Sequence, residues 1–379
     1  MSYKVNFKSH GKEVEVEAGK TILDAAALAG IAVEGNCGSA GKCGKCKVHI
    51  AEGFNPEAEK YGEKFFTAEE MEEGWVLACR YEVDRDMTVE VPIQKDAFSR
   101  KTKLNSLLDD IVINSPVKKV YVEMEKPALQ DQCPDFERIV RSAGLDITKQ
   151  RPTPRLLSVI PKMIRDSKFA LTAIVHGEEL MWVEPGDTTG QRYGMVFDVG
   201  TTTVVALLIN LEDGSIVGAA ADTNPQNVFG ADVISRITYV IDEPETGLQQ
   251  LHDKVVECLG DLALRAVAEA GIDKTMVYEC TVVGNTTMSH LFAGINPAYL
   301  APAPFIPGYV HSVQIEARDL GFDLNPEAKV HLLPNIAGYV GSDTVGVILG
   351  THIHERPGIT VAIDVGTNGE IVAAGKGRI

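Results

Sequence analysis

Gly35-Asn-Cys37-Gly-Ser-Ala-Gly-Lys-Cys43-Gly-Lys-Cys46 is the stretch on which the reading of this chain turns. Its three cysteines are spaced C-x5-C-x2-C, and a fourth follows in Leu77-Ala78-Cys79-Arg80. Thiolates so placed form a metal-ligand set. Zinc is one candidate, but zinc sites usually pair their cysteines as C-x2-C…C-x2-C. A crowded triplet followed by one distant cysteine fits that pattern less well. Gly38, Gly41 and Gly44 let the loop wrap closely and aim backbone N–H groups inward, as an anionic centre requires. Lys42 and Lys45 could offset negative charge further.

Plant-type ferredoxins use C-x4-C-x2-C…C. The extra residue in the first gap resembles the adrenodoxin and putidaredoxin branch. That resemblance implies a [2Fe–2S] cluster on Cys37, Cys43, Cys46 and Cys79, an electron carrier that does no bond chemistry alone. The flanking sequence agrees with a β-grasp ferredoxin. Tyr3–Phe7 and Glu13–Glu17 alternate apolar and polar around Gly11, as a hairpin does. Thr21–Ala29 reads as a short helix with Thr21 as N-cap and Gly30 ending it. Lys47–Ile50 and Thr88–Pro92 read as strands. The acidic run of Glu57, Glu59, Glu63, Glu69, Glu70, Glu72 and Glu73 reads as a solvated face, with a docking face for an electron donor as the alternative. Residues 1–94 make this first unit.

Residues 95–125 read as a linker and 126–192 as a small α/β unit. Asp135–Ser142 and Arg155–Arg165 read as helices. Phe169–Val175 and Glu179–Val183 form a hairpin across His176-Gly177-Glu178, where His176 reads as a turn residue. From Tyr193 the pattern changes again. Met195–Asp198, Val204–Leu211 and Ile216–Ala221 read as strands, and Leu248–Ala270 as an amphipathic helix ended by Gly271. Cys280–Val283 and His331–Pro334 read as buried strands.

This third unit, 193–379, holds an internal repeat. Tyr193-Gly-Met-Val-Phe-Asp198-Val-Gly200-Thr201-Thr202-Thr203 is echoed by Ile359-Thr-Val-Ala-Ile-Asp364-Val-Gly366-Thr367-Asn368-Gly369. One copy is weak, but two with matching strands before and after are strong. Glycine lets the backbone approach phosphate oxygens, Thr and Asn donate hydrogen bonds, and Asp holds Mg²⁺ through water. The pattern resembles the superfamily of acetate and sugar kinases, Hsp70 and actin. Asp198, Gly200, Thr201, Thr202 and Thr203 match its first phosphate motif. Asp364, Gly366, Thr367, Asn368 and Gly369 match its second. The resemblance implies ATP and Mg²⁺ as ligands. Asp232 lies where that family's connecting segment supplies an acidic residue, so a catalytic carboxylate is expected there. A helix-start Asp is the competing reading.

A ferredoxin joined to such an ATPase resembles the reductive activators of corrinoid proteins, which use ATP to return Co(II) to Co(I). Val282-Val-Gly-Asn285-Thr-Thr-Met288 and Leu333-Pro-Asn335-Ile-Ala-Gly338-Tyr-Val-Gly341-Ser-Asp343 carry the resemblance further. The implied fold class is α+β and α/β multidomain: a β-grasp ferredoxin, a small α/β middle domain, and the first half of an actin/Hsp70-like (RNase H-like) ATPase fold. The implied partners are the corrinoid protein of a methyltransferase system and an electron donor, and a homodimer is one assembly the chain could form. The chain stops at Ile379, so the second ATPase half is expected to be incomplete and ATP hydrolysis by this piece alone is doubtful. The alternative is a plain electron-transfer protein whose ATPase-like part is a non-hydrolytic docking surface. Dehydratase activators, a third class, use a [4Fe–4S] cluster that this four-cysteine pattern does not match.

Composition sets the remaining bounds. Across 379 residues the net charge is −17, with 45% hydrophobic and 23% charged residues. That acidity argues against nucleic acid, whose phosphates need clustered Lys and Arg. No apolar run reaches the ~18 residues of a membrane span, so a cytoplasmic protein is expected. Cys133, Cys258 and Cys280 read as buried or idle thiols.

Overall fold

The computed structural model describes residues 2–31, 33, 41–58, 64–92, 113–366 and 369–379. Three apolar cores organise them. The first belongs to a five-stranded sheet of β1 (Ser2–Phe7), β2 (Lys12–Glu17), β3 (Lys47–Glu52), β4 (Trp75–Leu77) and β5 (Met87–Glu90), ordered β2-β1-β5-β3-β4. The β1–β2 hairpin is antiparallel, while β1 and β5 are parallel. Helix α1 (Ile22–Leu28) lies against this sheet and buries Ile22, Ala25 and Ala26. Thr21 and Asp24 close a capping box at its start, satisfying two backbone N–H groups reciprocally. A short helix α2 (Ala68–Glu72) is capped in the same way by Thr67 and Glu70 and leads into β4.

The second core lies between a three-stranded antiparallel sheet and two helices. The sheet is β6 (Val117–Glu123), β7 (Ala170–His176) and β8 (Glu179–Pro185), and the helices are α3 (Asp135–Ser142) and α4 (Pro154–Asp166). Strand β6 falls inside the segment that the sequence reads as linker. Its central Lys118-Lys119 hides the alternation, and its pairing with β7 from Val117↔His176 to Glu123↔Ala170 comes from distant chain. The middle unit therefore begins before residue 126.

The third core belongs to a six-stranded sheet ordered β11-β10-β9-β12-β14-β13. Its strands are β9 (Tyr193–Val199), β10 (Thr203–Asn210), β11 (Ile216–Thr223), β12 (Val277–Gly284), β13 (Val313–Glu316) and β14 (Lys329–Leu332). The first three form an antiparallel meander, and β12 and β14 then run parallel to β9. Between β11 and β12 the chain forms α5 (Val233–Asp242) and the long α6 (Gly247–Ala270). Leu251, Val255, Leu259, Leu262, Ala263 and Ala266 make the apolar stripe of α6 that closes the core. Two shorter helices follow β12 and β14: α7 (Thr286–Phe292) and α8 (Ser342–Thr351). The chain ends in a hairpin, β15 (Thr360–Val365) and β16 (Gly369–Ala374), whose inner residues Val372 and Ala374 pack with Ile353. Its other face leaves Ile363, Val365 and Ile371 between 63% and 83% exposed.

The middle and third units share an interface. Val117, Ile174 and Met181 pack on Tyr278. Beside them Lys119 Nζ lies 2.8 Å from Glu184 Oε2, with the two side chains 1% and 7% exposed, and the Tyr278 hydroxyl donates to the other Glu184 oxygen. Burial pushes the Lys119 ammonium below its usual range, and Glu184 opposes that push. Removing one partner of such a pair leaves an uncompensated buried charge. Lys119→Met is therefore expected to cost about 3–5 kcal/mol in the urea unfolding transition of this interface. An unchanged midpoint would show that the pair carries no such weight.

Candidate functional site

Two sites emerge, one in each terminal unit. In the first, Cys46 and Cys79 are buried with their Sγ atoms 3.3 Å apart. That is far longer than a disulfide of about 2.05 Å. It approaches the ~3.8 Å edge of a tetrahedron built on ~2.3 Å metal–sulfur bonds. Cys43, Cys46 and Cys79 are all free thiols. Burial pushes the Cys46 thiol up to about 12, and the Cys79 and Cys43 sulfurs add to it. Thiolates in this pocket therefore need a metal's positive charge, and the donor set fits an iron–sulfur centre.

The surrounding loop is built for close approach. Gly44 has φ +67°, and a Cβ there would stand 2.3 Å from the Phe65 ring. The Ala78 N–H donates to the Cys46 carbonyl, and the Leu23 N–H donates to the Ala78 carbonyl, so α1 and β3 both hold the Cys79 turn. Lys42 and Lys45 are exposed, which fits solvated side chains better than charge compensation. Cys37 lies outside the described residues.

The second site lies where strands of the third sheet end. Parallel pairing of β9 with β12 sets Val199 opposite Gly284, so the turns after Asp198 and after Gly284 lie side by side. Asn285 Nδ2 donates to Thr201 Oγ1 at 3.0 Å, while the Asn285 Oδ1 caps α7 through the Met288 N–H. Ser342 Oγ accepts from the Gly284 N–H and donates to its carbonyl, which brings the first turn of α8 alongside. Gly341 permits this, since a Cβ there would stand 2.5 Å from Asn285 Cα. The Asp198 carboxyl is open to solvent yet crowded within this concave end. Its partial burial, and then the Asp343 and Asp364 carboxylates, push its pKa up to about 6. Partial burial and Asp364 also push Asp343 up, and burial with Asp343 and Asp364 does the same to Glu370. The Asp343 and Asp364 charges thus reach both Asp198 and Glu370.

Arg236 supports this site from within. It is fully buried and donates to the Thr201 carbonyl at 2.5 Å, to Gly230 O at 2.9 Å and to Gln226 Oε1 at 3.0 Å. Asn224 Nδ2 donates to the Gly200 carbonyl at 2.8 Å. The Gly200–Thr203 turn is thereby pinned by two buried polar side chains.

The sequence-predicted residues divide accordingly. Asp198 lies near the end of β9, Gly200, Thr201 and Thr202 form the turn after it and Thr203 opens β10, while Asp364, Gly366 and Gly369 belong to the final hairpin, with Thr367 and Asn368 outside the described residues. Asp198 and Asp364 come together electrostatically. Asp232 is an exposed N-cap of α5: its carboxylate accepts from the Ser235 N–H at 2.8 Å, and it is not among the charges that move Asp198. Asp343, Glu370, Asn285 and Arg236 had no predicted role, although Asn285 and Asp343 lie in stretches that carried the resemblance.

Family models match the chain in series. The 2Fe-2S iron-sulfur cluster binding domain matches residues 5–84, the RACo linker region 106–190 and the RACo middle region 193–356. The chain belongs to the RACo family. It is 28% identical over 370 residues to the corrinoid activation enzyme RamQ of Eubacterium limosum, covering 97% of this chain and 58% of that protein. It is similar to a solved structure of a reductive activator for corrinoid, iron–sulfur protein, at 32% identity and a TM-score of 0.63, over 99% of this chain and 62% of that one. Over 96 residues it is 38% identical to the phenol hydroxylase P5 protein of Acinetobacter pittii, covering 25% of this chain and 27% of that protein. This RACo-family chain thus spans about three fifths of the two longer relatives. Its fold is the mixed multidomain type the sequence predicts, and it carries an iron–sulfur ferredoxin domain.

Two outcomes test these sites. Cys46→Ser and Cys79→Ser are expected to abolish the visible absorption of the reconstituted protein, while Cys133→Ser leaves it unchanged. In the cation-free protein, the raised Asp198 pKa means that the folded state holds this proton longer than the unfolded chain. Stability is then lost as pH rises from about 4 to about 6. Asp198→Asn is expected to raise stability above pH 6, on the order of 1 kcal/mol after discounting for solvent exposure, with the gain vanishing near pH 4. A gain independent of pH would contradict the crowding.

Proposed function

We propose that this chain supplies the electron-carrying and phosphate-gripping parts of an ATP-dependent reductive activator of corrinoid proteins. In this reading one electron leaves a [2Fe–2S] centre held by Cys37, Cys43, Cys46 and Cys79 and returns the cobalt of a partner protein from Co(II) to Co(I). Asp198, Asp343 and Asp364 supply carboxylates toward Mg²⁺, with Gly200–Thr203 and Gly366–Gly369 as the two phosphate motifs. Asp232 orders the start of α5, and a catalytic part for it rests on its position alone. The observation that carries the reading is the Asp198 carboxyl, pushed up by burial and by the Asp343 and Asp364 charges, beside the Asn285–Thr201 pair. A carboxyl pushed up by burial and by neighbouring negative charge calls for a cation, and the neighbouring side chains are donors suited to phosphate.

ATP has a definite task in this reading. Each ~59 mV of potential mismatch costs about tenfold in a one-electron equilibrium. Nucleotide can favour the reduced product only by binding one conformation better than another. The test uses the complete gene product with a Co(II) corrinoid protein and a low-potential donor, following Co(I) absorption. ATP is expected to raise the yield of Co(I). Asp198→Asn and Asp343→Asn are expected to lose that stimulation at least 30-fold, with the iron–sulfur spectrum intact. Equal Co(I) yields with and without ATP would leave a plain electron carrier.

A further inference from the structure

Glu279 on β12 and His331 on β14 lie on the face of the third sheet opposite its main core. Their neighbours Cys280, Val282, Val330 and Leu332 point the other way and are buried. His176, read from sequence as a turn residue, is the last residue of β7, paired with Val117 and Glu179, and reaches that face from the middle unit. His176 Nε2 lies 3.1 Å from Glu279 Oε1, and His331 Nε2 lies 3.3 Å from the same oxygen. The donor atoms of all three side chains fall within 4.8 Å of one another. The two imidazoles stack, 6.1 Å between centroids and 12° between planes. His331 Nε2 is shut off from solvent and makes no hydrogen bond, because its approach to the carboxylate has an ion-pair distance but not hydrogen-bond alignment.

We propose that His176, Glu279 and His331 bind a first-row divalent cation, Zn²⁺ being the best match, which staples the middle unit to the third. Two imidazoles and one carboxylate suit zinc, whereas Mg²⁺ and Ca²⁺ prefer all-oxygen shells. Zinc bonds of about 2.0–2.1 Å place tetrahedral ligand atoms about 3.3–3.4 Å apart. Two of the three edges already have nearly that length, and the third closes by small ring rotations. The Nε2 of His331 is sealed from solvent and poorly aligned with the one carboxylate oxygen beside it. His176 also lines an open cavity of about 610 Å³, together with Gln314 and Lys329, so the cluster is reached from solvent on the His176 side. Without a cation, two stacked rings compete for one carboxylate oxygen. With one, each supplies a ligand from a different strand.

The test is Zn²⁺ titration of the full chain by calorimetry, with its iron–sulfur centre loaded so that the cluster cysteines are occupied. One equivalent is expected to bind, with proton release that varies with the ionisation heat of the buffer. His176→Ala and His331→Ala are each expected to weaken this binding at least 30-fold. His176 stands at the end of β7 with its side chain 26% exposed, so its variant keeps the fold even where the His331 variant does not. X-ray absorption at the zinc edge of the loaded wild type is expected to show imidazole and oxygen neighbours without sulfur. No binding by the wild type, a sulfur-containing shell, or undiminished binding by His176→Ala would overturn the proposal.

Discussion

The parallel pairing of β9 with β12 is the constraint on which the third unit depends. Met195, Phe197 and Val199 face the core on one strand, and Cys280 and Val282 face it on the other. A one-residue slip would turn every one of these side chains to the wrong face. The core therefore fixes the register, and the register puts the Asp198 turn beside Asn285. Helix α6 locks the arrangement by pressing on the sheet. Gly218 on β11 accommodates it, since a Cβ there would stand 2.2 Å from the Ala266 carbonyl oxygen. Apolar burial thus determines where polar side chains converge, although none of them takes part in that burial.

Both candidate sites are costly in isolation. A carboxyl lifted to about 6 and a thiol lifted to about 12 each sit where burial and like neighbours oppose the charged form. Such crowding is what a cation relieves, and perturbed groups of this kind cluster at functional sites. Arg236 shows the other side of the same balance. Its guanidinium is buried without a carboxylate on it, and burial holds its pKa down to about 9. Carbonyl and amide oxygens from the Thr201 and Gly230 turns and from Gln226 satisfy it instead. The stability given up at the Asp198 carboxyl is spent next to a turn that is held unusually firmly.

What the sequence shows is what local rules govern. The β1–β2 hairpin, the Thr21 cap and the Gly271 stop follow from alternation, capping and left-handed glycine, all settled within a few residues. The Asp-Val-Gly-Thr repeat is legible for the same reason, since strand and turn are contiguous. Strand β6 is not, because Lys119 looks like a surface residue until Glu184, 65 positions away, is placed beside it. Asp232 can be read in two ways locally, and its Ser235 partner accounts for the cap but not for anything beyond it. The His176, Glu279 and His331 cluster has no local signature at all. Its members are brought together by two sheets meeting, and a histidine at a strand end carries no mark of that.

That meeting of sheets bears on how the units are joined. The ferredoxin core, from Val5 to Val91, closes on its own residues. The middle unit does not: Val117, Ile174 and Met181 bury themselves against Tyr278 of the third unit, and Lys119 and Glu184 are buried in the same contact. Packed apolar surface backed by a buried ion pair resists sliding, because any shift exposes one or uncovers the other. The middle and third units therefore share one buried seam. The same strand β12 runs from the turn beside Asp198 back to Tyr278 and Glu279 at its other end, which is where the middle unit rests.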